Sequence, residues 1–189
     1  MKNLTFCLVA LMPALASASD LLGSTVDVEY VHFDAGAHNY WGANSVVVGA
    51  GLEMTCPSDA WLCQSLVGQP MTLDISGNSI RFEYLGQGNT SFENFTDPLY
   101  SYQYFGFGQL YDASTVVVGA KLTTNIVGLD NSRINIRSHG VGVNINGLPL
   151  SSLAFFQLDL QTAPTPVPEP AGAALLLGGL GLLALGRRR

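Results

Sequence analysis

Residues 71–84, MTLDISGNSIRFEY, decide the fold of this chain. Apolar and polar side chains alternate on both sides of a short polar stretch, Ser76-Gly77-Asn78-Ser79. Alternation with a period of two is typical of a strand that buries one face. A short stretch containing Gly and Asn between two such runs is typical of a tight hairpin turn. Residues 71–84 therefore predict an antiparallel β-hairpin with one apolar face.

The same alternation recurs along the middle of the chain. It is found at residues 26–30, 46–54, 116–122, 134–136, 141–145 and 156–160. No stretch there carries a clear apolar stripe at helical spacing, and the nearest candidate for a helical turn is residues 58–67. Short strands with one apolar face each need a second sheet to cover that face. We expect an all-β, two-sheet β-sandwich over residues 19–163, with a jelly-roll-like variant as the alternative.

The N-terminus has the layout of a signal peptide over residues 1–18. Lys2 precedes an apolar stretch at residues 4–15, and Ala16 and Ala18 are the small residues that signal peptidase requires. We predict cleavage after Ala18 and export of the chain. The alternative is a permanent N-terminal helix, which the short run and the interruption at Pro13 disfavour.

The C-terminus has three parts in a fixed order. A Pro-rich linker at residues 164–170 ends in Val167-Pro168-Glu169-Pro170, an apolar run follows at residues 171–186, and Arg187, Arg188 and Arg189 close the chain. At about 1.5 Å per residue the apolar run makes a helix of about 24 Å, which is short for a bilayer core of about 30 Å. We expect a marginal transmembrane helix with its arginines in the cytoplasm and the body outside.

This tail resembles the PEP-CTERM sorting signal of exported proteins of Gram-negative bacteria. The resemblance covers about an eighth of the chain and rests on the motif Val167-Pro168-Glu169-Pro170, the helix and the terminal arginines. It implies recognition by an exosortase-like membrane protease. The protein would be held briefly in the inner membrane and then delivered to the cell surface or the extracellular matrix. A plain Pro-rich stalk before an ordinary anchor is the alternative.

Charge and cysteine content fit an exported body. Outside the two ends, four basic residues stand against 13 acidic ones, which leaves a formal net charge of −9. Such a surface disfavours nucleic acid, which needs basic patches. Cys7 leaves with the signal peptide, so Cys56 and Cys63 remain as a pair in an oxidising compartment. We predict a disulfide between them, in preference to a metal or redox role.

Few residues suggest catalysis or metal binding. His32, Asp34 and His38 would suit a metal, with surface polarity as the alternative. Two turn-like stretches, Asp112-Ala113-Ser114 and Asp130-Asn131-Ser132, would suit calcium, although turn chemistry alone explains them. No GxSxG or HExxH motif occurs. We therefore assign no catalytic residue and no cofactor, and we expect a protein that is not an enzyme.

An aromatic cluster gives the ligand hypothesis. Tyr100, Tyr102 and Tyr104 would share one face of a strand, where exposed rings can stack on sugars. The alternative is that the rings are buried in the core. The leading hypothesis is a non-enzymatic surface or matrix protein. The alternatives are an exopolysaccharide-binding module and a polysaccharide hydrolase, which would need two carboxylates about 5–10 Å apart in a groove.

Overall fold

The structure, a computed structural model, describes residues 20–33, 40–66, 69–88, 90–91 and 102–165. The predicted signal peptide with Ala16 and Ala18, the sorting motif at residues 167–170, the predicted membrane helix and Arg187, Arg188 and Arg189 lie outside these residues. Within the described residues, no helix has the length and apolar character needed to cross a membrane.

Nearly all regular structure is β. The strands are β1 (Thr25–Phe33), β2 (Tyr40–Val47), β3 (Met54–Cys56), β4 (Met71–Ser76), β5 (Ser79–Tyr84), β6 (Thr90–Ser91), β7 (Tyr102–Gly108), β8 (Thr115–Thr124), β9 (Ile134–Arg137), β10 (Gly140–Asn144), β11 (Pro149–Leu150) and β12 (Phe155–Pro164). One short helix, α1 (Trp61–Ser65), and a 3-10 turn at Asn131–Arg133 complete the described elements.

Ten of these strands form two five-stranded antiparallel sheets that pack against each other, and β6 and β11 form a separate two-stranded sheet. Sheet A has the order β2-β1-β7-β10-β9, and sheet B has the order β3-β4-β5-β12-β8. Aromatic rings join the sheets: Phe105 of sheet A lies 5.0 Å from Phe82 and 6.1 Å from Phe156 of sheet B, centroid to centroid. The all-β, sandwich-like prediction is confirmed.

The hairpin that decided the fold is present as predicted. β4 and β5 pair from Met71↔Tyr84 to Ser76↔Ser79. Gly77 closes the turn with φ +54°, a value that glycine adopts at little cost. Met71, Leu73 and Ile75 face the core and are buried. The alternation of β1 is also confirmed, because Val26 and Val28 are buried while Asp27 and Glu29 face outward.

The apolar stripe expected over residues 46–54 is wrong as a single strand. β2 ends at Val47, β3 begins at Met54, and Leu52 is 56% exposed. Glu53 fixes the intervening turn, because one carboxylate oxygen accepts a hydrogen bond from the Gly49 amide at 2.9 Å and the other accepts one from the Ile75 amide. The turn held by the Glu53 carboxylate therefore interrupts the apolar–polar alternation.

The face predicted for residues 116–122 is wrong at its N-terminal half. Ala120 and Leu122 pack on the core as expected, but Val117 is buried and Val118 is 57% exposed. The cause is an irregularity in the pairing with β12, where Gln161 pairs with Gly119 and Thr162 pairs with Val117, so that Val118 is an extra residue in β8. An irregularity of this kind adds a residue to one strand and reverses which side chains face inward.

The cysteine prediction is confirmed. Cys56 and Cys63 form a disulfide with 5.3 Å between their Cα atoms, and Cys63 lies in α1. The helical turn expected within residues 58–67 corresponds to α1. Both half-cystines are buried, so the crosslink fastens α1 to the edge of the core.

Candidate functional site

The outer face of sheet A carries a groove bordered by residues that the structure describes. Its floor is formed by four glycines on two neighbouring strands, Gly106 and Gly108 of β7 and Gly140 and Gly142 of β10. They pair directly across the sheet, Gly108 with Gly140 and Gly106 with Gly142. These four adjacent outward positions lack side chains, so neighbouring side chains border the space above them, and the Glu29 side chain lies against Gly106. We call this depression, of about 700 Å3, the glycine groove.

The two walls of the glycine groove carry opposite charges. Asp27 and Glu29 lie along β1, directly beside Gly108 and Gly106. Asn135 and Arg137 of β9 lie on the other side, beside Gly142 and Gly140, and Arg133 follows next to them. Tyr104 and Asn144 border one end of the groove, and Ser138 and His139 border the other. A ligand in the groove meets acceptors on one side and donors on the other.

Hydrogen bonds hold the acidic wall in place. Glu29 Oε1 accepts a hydrogen bond from the Tyr104 hydroxyl at 3.0 Å. Asp27 Oδ1 accepts one from Ser45 Oγ at 2.6 Å, and Asp27 Oδ2 accepts one from Gln109 Nε2. Within the described residues, Glu29 Oε2 accepts no hydrogen bond, so its acceptor capacity is unused.

The basic wall has one fixed and one available cation. Arg133 Nη1 donates to the backbone oxygens of Asn144 at 3.4 Å and Asn146 at 2.9 Å, which orients its guanidinium group. Arg137 is exposed, and its guanidinium group makes no hydrogen bond or ion pair with another residue that the structure describes. By contrast, Arg81 on sheet B pairs with Glu83 at 3.2 Å and lies over the Phe155 ring.

The tyrosine row is only partly described. Tyr104 lies on the outer face of β7, half-buried, as the alternation predicts. Tyr102 begins the same strand, opposite Phe33 of β1, and Tyr100 lies outside the described residues. The neighbouring Phe105 and Phe107 point the other way and are buried in the core. Of the three tyrosines, Tyr104 is therefore the one that the structure shows at the border of the glycine groove.

The metal hypotheses gain no support from the described residues, among which no group of three or more His, Cys, Asp or Glu side chains converges. His32 is 5% exposed, so its interpretation as a surface residue is wrong, while Asp34 and His38 lie outside the described residues. His32 is buried because it alternates inward with Val28 and Tyr30 along β1.

The two calcium candidates use their oxygens within their own turns. Asp112 accepts hydrogen bonds from the amide and the hydroxyl of Ser114, at 2.9 and 2.6 Å. Asp130 does the same with Ser132, at 2.9 and 2.6 Å. These hydrogen bonds from serine lower the pKa of both carboxyl groups below the ordinary value. The geometry is that of turn-forming aspartates.

The glycine groove was missed in the sequence, although a signal for it exists. Residues 105–108 read FGFG and residues 140–143 read GVGV, so glycine takes two successive outward positions on each of two strands. Glycine weakens a strand and often marks a place where a ligand or another backbone comes close. What the sequence did not reveal is that these two strands are neighbours.

Comparison with known proteins does not assign the chain to a family. The chain matches no protein-family model, and no curated protein and no solved structure is significantly similar to it. A function is therefore inferred from the sequence and the described residues alone.

Proposed function

We propose that the chain is an exported cell-surface or extracellular-matrix protein whose β-sandwich binds a carbohydrate without cleaving it. Export, brief retention in the inner membrane and processing by an exosortase-like protease follow from the order of signal peptide, Val167-Pro168-Glu169-Pro170, apolar run and arginines. An exopolysaccharide is the natural ligand outside such a cell.

The glycine groove is the observation that carries the binding proposal. A sugar hydroxyl donates one hydrogen bond and accepts others. A chain of hydroxyls therefore satisfies the carboxylate of Glu29 and the donors of Asn135 and Arg137 at the same time. The Tyr104 ring at one end offers an apolar surface to a sugar ring. A nucleic acid is disfavoured by the net charge of −9 over the body.

The placement of the carboxylates supports binding over hydrolysis. A glycosidase places its two carboxyl groups on either side of the scissile bond. Glu29 borders the groove, and Asp27 lies two residues before it on the same outer face of β1. Asp27 also accepts hydrogen bonds at both oxygens. A sugar chain in the groove therefore meets both groups from the same side.

The binding proposal is tested with protein purified after expression of the full-length gene. We would screen it on a glycan array and against the exopolysaccharide of the producing bacterium, and then measure affinity by calorimetry. Gly142→Leu fills the groove floor, since a Cβ atom there has no neighbour closer than 3.8 Å. We expect binding to fall at least tenfold, while Val127→Ala, an exposed change outside the groove lining, leaves binding intact.

Two results would contradict the binding proposal. One is the absence of glycan binding by the unaltered protein. The other is equal affinity of the unaltered protein and the Gly142→Leu variant. Release of new reducing ends during prolonged incubation would instead favour the hydrolase, and substitution of Asp27 and Glu29 would then be expected to abolish that release.

The sorting proposal has its own test. Mass spectrometry of the mature protein from its native host should find a C-terminus near Glu169. Glu169→Ala should leave the tail intact, whereas Pro166→Ala, just outside the motif, should be processed normally. A mature protein that still carries Arg187, Arg188 and Arg189 would contradict processing and favour an ordinary anchor.

A further inference from the structure

Two exposed tryptophans form a pair at the edge of sheet A. Trp41 lies on the outer face of β2 and Trp61 begins α1. Their ring centroids are 6.3 Å apart, with the planes inclined at 59°. Trp41 is 56% exposed and Trp61 is 60% exposed. Tryptophan has the largest apolar surface of any side chain, so two such rings together in solvent indicate a surface that contacts something.

A second depression lies between this pair and the glycine groove. It holds about 400 Å3 and is bordered by Trp41, Ala43, Asn44 and Ser45 of β2 and by Asp27, Glu29 and Gly108. Glu29 and Gly108 border the glycine groove as well. The Asp27–Glu29 ridge therefore has a groove on each side. From β2 to β9 the face spans five strands, about 19 Å at about 4.8 Å per strand.

The position of Trp61 is fixed from several directions. The Leu62 amide donates to Asn44 Oδ1 at 2.8 Å, which joins the start of α1 to β2. Two residues after Trp61, Cys63 is crosslinked to Cys56 at the end of β3. Leu62 and Leu66 are buried in the core. The rings are thus held in place before a ligand arrives, which lowers the entropy lost on binding.

We infer that Trp41 and Trp61 form a second subsite, which stacks on an uncharged sugar of the same polysaccharide that enters the glycine groove. This inference rests on the proposed carbohydrate binding. The apolar CH face of a sugar ring packs on an indole, while its hydroxyls donate to the adjacent Asp27–Glu29 ridge. The charged groups that border this second depression, Asp27 and Glu29, are both acidic. Such a site repels a uronic acid and accepts a neutral sugar.

The tryptophans provide their own spectroscopic test, because the chain contains two in all. All tryptophan fluorescence of the full-length protein therefore comes from the inferred subsite. Titration with a glycan that binds in calorimetry should shift the emission to shorter wavelength and protect it from quenching by acrylamide. In Trp41→Phe the signal comes from Trp61 alone, and in Trp61→Phe it comes from Trp41 alone.

Affinity measurements complete the test. Trp41→Ala and Trp61→Ala should each weaken binding of the polysaccharide about five- to tenfold, the usual worth of an aromatic contact. The Val127→Ala control should leave it unchanged, and circular dichroism should confirm that each variant is folded. Neutral glycans should shift the emission, whereas polygalacturonate should not.

The outcomes separate this inference from the proposed function. If a glycan binds and Gly142→Leu weakens it, but neither tryptophan variant changes affinity or emission, the second subsite is wrong while the glycine groove remains. If polygalacturonate shifts the emission as strongly as a neutral glycan, the inference that the subsite prefers an uncharged sugar is wrong. If no glycan binds, the proposed function and the inference both fail.

Discussion

A Cβ atom at Gly42 would lie 2.3 Å from the Ser65 hydroxyl oxygen, which is closer than any real contact. The same atom would lie 2.8 Å from the carbonyl oxygen of Trp61. The inward face of β2 therefore touches the backbone of α1 directly at this position. The inferred tryptophan subsite depends on a contact that only a glycine permits.

Replacement of this glycine should move the helix. We expect Gly42→Ala to displace α1, to change the environment of Trp61 and to cost about 1–3 kcal/mol of unfolding free energy, the usual range for overpacking. Gly49→Ala is the matched control, because a Cβ atom there has no neighbour within 4 Å. Urea unfolding and tryptophan emission measure both effects. Equal stability of the two variants would contradict the close packing of α1 on β2.

The two glycines of β10 in the groove floor should respond differently. A Cβ atom at Gly140 would lie 2.8 Å from the carbonyl oxygen of Phe107, which belongs to the backbone and cannot yield easily. At Gly142 the nearest atoms are 3.8 Å away. We expect Gly140→Ala to cost about 1–3 kcal/mol and Gly142→Ala to cost less than about 0.5 kcal/mol. Denaturant titration measures the unfolding free energy of the two variants. A larger loss for Gly142→Ala than for Gly140→Ala would contradict the described register of β7 and β10.

Tyr111 should make stability depend on alkaline pH. Burial, helped by the negative charge of Asp20, raises the pKa of its phenol to about 12. The unfolded chain ionises near pH 10. The folded state keeps the neutral form, so its contribution is complete below about pH 10 and is lost as the pH rises toward 12.

The Tyr111→Phe variant separates this effect from the hydrogen bond. It loses the bond from the Tyr111 hydroxyl to Asn78 Oδ1, 3.1 Å long, and should be about 1 kcal/mol less stable at neutral pH. Between pH 10 and 12 its stability should decline less steeply than that of the unaltered protein. Val127→Ala, an exposed change that removes no titratable group, serves as the control and should keep the original slope. If the stability of Tyr111→Phe declines as steeply as that of the unaltered protein, another titrating group causes the decline.

Removal of the disulfide should have a moderate, local cost. A crosslink with a sequence separation of 7 between Cys56 and Cys63 is worth about 2.5 kcal/mol in the chain-entropy model. The double variant Cys56→Ser, Cys63→Ser should lose about that much in guanidinium unfolding. A reductant should lower the stability of the unaltered protein by the same amount and leave the double variant unchanged. An effect of reductant on the double variant would point to a different thiol.

Local alternation was sufficient to predict the strands that carry it cleanly. β1, β4 and β5 have buried and exposed residues in strict succession, and their faces were assigned correctly. Asp27 and Glu29 were placed outward for that reason. The assignment of faces failed where one side chain or one extra residue in the strand determines the outcome. Leu52 is exposed because Glu53 holds a turn, and Val118 is exposed because the register breaks at Gln161.

The candidate site was less predictable than the fold because it is made by strand pairing. Tyr104 was proposed from its own strand. The groove that it borders arises because β7 pairs with β10, and the segment between these strands includes β8 and β9. Likewise Trp41 and Trp61 meet because α1 packs on β2. Which strands become neighbours is a long-range property, so no local pattern of residues contains it.

The place of β12 has a mechanical consequence. This strand runs Phe155–Pro164 between β5 and β8, with a ladder of hydrogen bonds on each side. Thr165 then bonds to Ser114 and Ala113 through its amide and its hydroxyl. The sorting segment follows directly in the sequence. A pulling load applied from that end therefore acts along β12 and shears both ladders together, because their bonds lie across the strand. A domain loaded in this way yields only when many bonds break at once.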